Sequence, residues 1–201
     1  MPRLARPFFR RSPITIARAL LGQRLVRLLE DGTRLAGLIV ETEAYLGIPD
    51  RAAHTFGGRR TVRNASMWRD GGHAYVYFTY GLHFCMNVVA QVEGKPTAVL
   101  LRALEPTEGI DRMRNHRGPN TKRDRDLCSG PAKLCQAMKI DRALDGVDLV
   151  TSDMLFIEQV RSRALPSNRI EVTPRIGIHY AGDWAMKPLR FHLKDCDHVS
   201  G

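Results

Sequence analysis

The 201-residue chain lacks any apolar run near the ~20 residues of a membrane span, so no membrane segment is expected. Its first thirteen residues are basic but lack the apolar stretch of a signal peptide, which predicts an intracellular protein, in the cytoplasm and on the nucleoid if bacterial. Repeats, low-complexity tracts and a dividing linker are absent, and the 17 Gly and 11 Pro are too scattered for a disordered chain. The four cysteines, Cys85, Cys128, Cys135 and Cys196, form no CxxC pair and stand at no zinc-like spacing to histidine. They read as small buried apolar groups in a reducing compartment. Neither a metal nor a cofactor is expected.

Negative charge is scarce. Lys and Arg number 31 against 21 acidic residues, a formal charge of +10. Such an excess suits phosphate neutralisation on a nucleic acid. However, 25 of the 31 are arginine, as a GC-rich genome alone would produce, so the sites must decide the partner. With 43% hydrophobic residues the chain can bury one sizeable core. Residues 1–12 read as a basic arm and 13–201 as a single domain.

Ser12, Pro13 and Gly22 frame an apolar-periodic helix, with Ser at the N-cap, Pro at N1 and Gly past the end. Residues 23–29 and 33–45 alternate as strands around a turn at 30–32. Residues 46–72 are rich in Gly, Arg and Pro and read as a long functional loop. Three antiparallel strands follow at 74–79, 84–91 and 97–104. Helices are expected at 106–114, beginning on Pro106, and at 131–138, with 114–126 between them as a surface loop. Strands at 155–160 and 175–179 complete the reading. Without regular βαβ alternation the fold class is α+β: one compact mixed domain, a curved and largely antiparallel sheet with surrounding helices and a protruding β-hairpin.

Two stretches carry most of the chemistry, Glu41-Thr42-Glu43-Ala44-Tyr45 and Tyr75-Val76-Tyr77-Phe78-Thr79-Tyr80-Gly81. Strand alternation puts Glu41, Glu43 and Tyr45 on one face and the more apolar Val40, Thr42 and Ala44 on the other, toward the core. A carboxylate on the outer face is ordinarily just solvated, which is the reading for Glu41. Glu43, beside Tyr45 and ahead of the glycine-rich loop, is a candidate acid or base. Tyr75 and Tyr77 share a face, and Tyr80 stands at a hairpin tip. There it either packs on the sheet or serves as a wedge between base pairs. His54 is ordinarily an exposed loop residue. Asn87 faces a buried sheet and needs partners, or supplies them to a ligand. Leu100 and Arg102 project together from the next strand, Arg102 toward either a carboxylate or a phosphate. Ser129-Gly130-Pro131 opens a helix whose free N–H groups suit a phosphate, with Lys133 one turn in, though an ordinary cap is the commoner meaning.

In order and spacing these motifs resemble the alkyladenine (3-methyladenine) DNA glycosylase family, found in mammals and bacteria. The resemblance rests on Glu41 to Tyr45, Ala52-Ala53-His54, Tyr75-Val76-Tyr77 with Tyr80-Gly81, and Cys85-Met86-Asn87. It also rests on Leu100-Leu101-Arg102-Ala103-Leu104-Glu105-Pro106 and on Leu127-Cys128-Ser129-Gly130-Pro131, and runs from about Leu20 to about Leu193. It implies a base excision repair enzyme that flips alkylated or deaminated purines out of duplex DNA, and a monomer is the simplest expectation for an enzyme that scans a duplex. The substrates it implies are 3-methyladenine and 7-methylguanine, with hypoxanthine and ethenoadenine as further candidates. By the same resemblance Glu43 is the general base that activates water. Tyr45, His54 and Tyr77, with Ala52 and Leu100, form the base pocket, and Asn87 lies on its floor and discriminates against the 2-amino group of guanine. Tyr80 intercalates, and Arg102 meets the DNA backbone, for which Ser129, Gly130 and Lys133 are further candidates. No lysine falls in the matched pocket, so a monofunctional enzyme without a Schiff-base step is expected. His83 departs from the tyrosine of mammalian members, which bears on flipping and lesion range.

Two other classes compete. A non-catalytic protein that flips and holds lesions would need Tyr80 and the stacking rings but not Glu43. An enzyme on structured RNA would use the same rings and charge. A helix-hairpin-helix glycosylase is disfavoured, since no Leu-x-Gly-x-Gly hairpin occurs.

Overall fold

The computed structural model of the chain describes residues 1–79 and 81–200. Two short helices begin it, α1 (Arg6–Phe9) and α2 (Pro13–Leu20). As the sequence predicts, the Ser12 hydroxyl accepts the Thr15 N–H at 3.2 Å, and Pro13 occupies the first turn, where no N–H is needed. Strands β1 (Arg24–Leu28) and β2 (Arg34–Tyr45) form the first hairpin, and β3 (Ala74–Thr79) and β4 (His83–Ala90) the second. Then come β5 (Thr97–Glu108), α3 (Ile110–Arg117), α4 (Pro131–Ala137), β6 (Leu155–Glu158), β7 (Ile170–Thr173) and β8 (Arg190–Leu193).

The strands make one eight-stranded antiparallel sheet ordered β3-β4-β5-β2-β1-β6. β8 joins the far half of β2, and β7 pairs with β8. The chain is thus the expected α+β domain. Central β2 is flanked by β5 along its whole length and by β1 and then β8 on the other edge. Register shifts around Glu41 mark a bulge, which re-aims side chains where the pairing partner changes. Ile16, Ala17 and Leu20 of α2 and Leu134 and Cys135 of α4 pack with the sheet in one core.

Three expectations change. Pro106 does not start a helix: it lies within β5, near its end and opposite Gly37, and α3 begins after Gly109, whose φ of +71° makes the turn. Residues 175–179 are not a strand, because their alternation of apolar residues lines a pocket instead. The strands of this region are β7 and the short β8. Residues 1–12 are not a free arm. Leu4 and Phe9 are buried in the core, the Leu4 N–H donates to Ile157, and Arg6 and Arg10 pair with Asp148 and Asp70.

Candidate active site

The long loop 46–72 is pinned over one end of the sheet. Gly47, at φ +76°, lies so close to the Pro96 carbonyl that a Cβ would come within 2.7 Å of it. Asp50, wholly buried, accepts the N–H groups of Leu46 and Ala52 and so closes the turn that delivers Ala52 and His54. Its charge is met by Arg175, also buried, through two contacts of 2.6 and 2.9 Å. The Arg175 guanidinium lies 4.6 Å over the Tyr45 ring and donates to the Ala44 carbonyl. An isolated buried charge is expensive, so each half of this pair depends on the other.

Between this loop and strands β3, β4 and β5 is a cavity of about 190 Å³, walled by Tyr45, His54, Tyr75, Tyr77, Cys85, Asn87, Leu100 and Arg102. Pro131 and Ile176 stand at other parts of its wall. Its volume is below the ~300–1,000 Å³ of a drug-sized site and suits one heterocycle. The rings are mutually braced. His54 meets Tyr77 edge-on at 4.6 Å, Tyr75 and Tyr77 lie 5.3 Å apart, and His54 Nδ1 is 2.7 Å from the Tyr75 hydroxyl. Burial, reinforced by Arg63 and Arg59, lowers the His54 pKa to about 4, so the ring is neutral near pH 7. Asn87 donates to the Tyr75 carbonyl at 3.2 Å, which fixes its amide against the wall.

Glu43 sits directly behind this wall, 0% exposed. Its three contacts all come from wall residues. Tyr45 donates its hydroxyl to Oε2 at 2.9 Å, Ile176 donates its N–H to Oε1 at 2.8 Å, and Arg102 Nη1 lies 3.2 Å from Oε1. Burial raises the Glu43 pKa, and Glu41 adds to the rise. Arg102, the Ile176 N–H and the Tyr45 hydroxyl pull the other way without cancelling it. Burial also pushes Tyr45 and Tyr77 well above the ordinary phenol value, so both stay neutral donors.

Glu41 is not on a solvated face. It is fully buried and accepts Arg102 Nε at 2.9 Å, Arg190 Nε at 2.5 Å, and the Ser200 hydroxyl and N–H at 2.9 and 2.7 Å. Burial pushes its pKa up, but these cations and donors outweigh burial and hold it below the ordinary range. Arg102 is likewise corrected as a backbone contact. It is 6% exposed, with its guanidinium spread between Glu41 and Glu43, so of the two roles open in the sequence it takes the carboxylate one.

Tyr45, Ala52, His54, Tyr77, Asn87, Leu100 and Arg102 therefore line one cavity, with Glu43 behind its wall. Ser129, Gly130 and Lys133 stand apart from it, at the start of α4 beyond Pro131. Gly130 is the N-cap, and the Lys133 Nζ lies 3.5 Å from the Ser129 hydroxyl. Tyr80 lies outside the described residues. Its neighbours Gly81, Leu82 and His83 are exposed. Sequence reasoning missed Asp50, Arg175 and Ile176. Asp50 and Arg175 are 125 residues apart with no local motif between them, and Ile176 acts through its N–H, which residue identity does not reveal.

A second hollow of about 290 Å³ adjoins the first, sharing Ala52, Ala53, His54 and Tyr180, and carries Arg51, Arg59 and Arg63, all exposed. The guanidinium of Arg63 stands 5.3 Å over the Tyr77 ring. Basic charge thus collects at the mouth of the aromatic cavity. Among the described residues no cluster of His, Cys, Asp and Glu is arranged for a metal, and no helix is long and apolar enough to cross a membrane.

A buried carboxylate of raised pKa behind an aromatic slot with a basic rim has the shape and chemistry to stack a flat heterocycle near an acid or base. Residues 7–197 match the family model described as Methylpurine-DNA glycosylase, and the chain belongs to that family. It is 48% identical over 205 residues to a DNA-3-methyladenine glycosylase of Mus musculus, covering 98% of this chain and 61% of the mouse protein. It is 47% identical over 208 residues to the Homo sapiens protein of the same name, covering 100% and 68%. It is 46% identical over 200 residues to a putative 3-methyladenine DNA glycosylase of Methanocella arvoryzae, covering 100% and 96%. The chain thus spans about three-fifths of the mouse protein.

Proposed function

We propose that this protein is a monofunctional, monomeric DNA glycosylase of base excision repair. It extrudes an alkylated or deaminated purine from duplex DNA into the aromatic cavity and hydrolyses the N-glycosidic bond, leaving an abasic site. The observation that carries this is Glu43, a carboxylate of raised basicity, held by three residues of the wall that would enclose the base. Glycosidic cleavage passes through an oxocarbenium-like state, which a carboxylate stabilises while it takes a proton from the attacking water.

The cavity's rings would stack the base. A cationic lesion such as 3-methyladenine or 7-methylguanine is already a good leaving group and gains ~0.5–2 kcal/mol on a tyrosine face. Neutral hypoxanthine or ethenoadenine gains less, and Asn87 on the floor meets the purine edge where guanine carries its amino group. Tyr80 is the proposed wedge into the stack. Extrusion takes a few kcal/mol, and less at a damaged or mispaired base. Arg51, Arg59 and Arg63 at the mouth, with Ser129, Gly130 and Lys133 along α4, line the proposed phosphate path.

The test is single-turnover base release from duplexes carrying one defined lesion each, scored by strand breaks with and without alkali. Release with breaks only after alkali supports the proposal. Tight lesion binding without release would replace it with the flip-and-hold reading.

A further inference from the structure

The second carboxylate has no role in that reaction as proposed, yet four hydrogen bonds converge on it. Glu41 Oε1 receives Arg102 Nε, Arg190 Nε and the Ser200 hydroxyl, while Oε2 receives the Ser200 N–H. The same serine hydroxyl also receives Arg102 Nη2 at 3.1 Å. Two of the three nitrogens of Arg102 are therefore committed away from Glu43, and only Nη1 approaches it, at 3.2 Å. An arginine beside a carboxylate ordinarily closes a two-bond fork with it. Here the fork is held open.

We propose that Glu41 is a positioning residue for Glu43: with Ser200 it turns the Arg102 guanidinium edge-on, so that Arg102 orients the reacting carboxylate without neutralising it in a closed ion pair. Arg190 sets the strength of this device, because it competes with Arg102 for the same Glu41 oxygen. The inference rests on Glu43 being the general base.

The groups that face Glu43 are Arg102 and Glu41, Tyr45 and Tyr77, and the Cys85 thiol. Burial raises the two phenols and the thiol, so none of them ionises between pH 4 and 8. His54 titrates near 4 and is common to all variants below. Removing the Glu41 charge leaves Arg102 to Glu43 alone and removes a like charge, and both effects favour ionised Glu43. Removing the Arg190 charge lets Glu41 draw Arg102 more fully and deletes a nearby cation, and both effects disfavour it.

The experiment is the pH dependence of single-turnover release of 7-methylguanine, whose cationic base keeps its charge below neutral pH. Wild type, E41Q, E41D, R190Q and E43Q are compared, with folding checked by thermal melting and binding to undamaged duplex measured alongside. The acidic limb is expected to move down by about one pH unit in E41Q, the scale on which one neighbouring charge moves a carboxyl. It is expected to move up in R190Q and to return toward wild type in E41D. Rate losses in E41Q and R190Q with the limb unmoved, or limbs moved in the same direction, would overturn the positioning role. If E41Q fails to fold, R190Q decides alone: an upward shift supports the device, and none or a downward one overturns it. Near-normal release by E43Q would instead overturn the general-base assignment, a separate result.

Discussion

The floor of the cavity and its mouth use the same residue types to opposite ends. At the floor, Arg102, Arg175 and Arg190 are 12% exposed or less at the side chain, and each is paired with Glu41, Glu43 or Asp50. At the mouth, Arg51, Arg59 and Arg63 stand in solvent around a shared hollow. A desolvated guanidinium fixes geometry and shifts pKa values, whereas an exposed one supplies a field that salt screens. The floor should therefore set the rate of the chemical step, and the mouth should set affinity for a polyanion. Net charge describes neither region, because most of what makes the site reactive is internally neutralised.

The sharpest way to break this division is at Glu43. Glu43→Gln keeps the shape but removes the base, and should lower single-turnover release by ~10²–10⁴-fold. A loss of less than tenfold would move the base elsewhere. Next in size is Asp50→Ala, which strands Arg175 in the interior. It should destabilise the fold by about 3–5 kcal/mol, read by urea denaturation, and release should fall with the disordered Ala52–His54 turn. At the mouth, Arg59→Ala and Arg63→Ala should each reduce the slope of log K against log salt by about one if the side chain meets a phosphate. Release at saturating enzyme should stay unchanged. A rate loss without a slope change would merge mouth and floor.

The smallest effect concerns His54. Its folded pKa of about 4 lies below the unfolded value near 6.5, so the unfolded chain binds the extra proton first as pH falls. The stability that this neutral ring contributes is complete above about 6.5 and is lost as pH drops toward 4. His54→Asn should flatten that part of the stability-against-pH curve. An unchanged curve would mean that the ring accepts a proton in place.

The same contrast separates what could be read in the sequence from what could not. The central sheet was legible, because alternation and turn residues around β1 to β5 are local signals. Strand period put Glu43 with Tyr45 and Leu100 with Arg102 on shared faces, whereas the gathering of Tyr45, Tyr77, Asn87, Leu100 and Arg102 in one pocket was implied by the family resemblance and not by local pattern. Glu41 was misjudged because its cover comes from Arg190 and Ser200, more than 140 residues away. Residues 175–179 were misread because Ile176 and Ile178 alternate as in a strand, yet here serve a pocket. β8 has only four residues, and Pro106 followed a helix-start rule that β5 overrode. In each case a long-range contact outweighed a local pattern.

The measurement that tests the account most directly sets chemistry against binding in one variant: the affinity of Glu43→Gln for a hypoxanthine-containing duplex and its single-turnover release, both beside wild type. The account predicts affinity within about threefold of wild type, with release reduced by ~10²-fold or more. Release that persists, or affinity and release that fall together, would contradict a floor built for catalysis beneath a mouth built for binding.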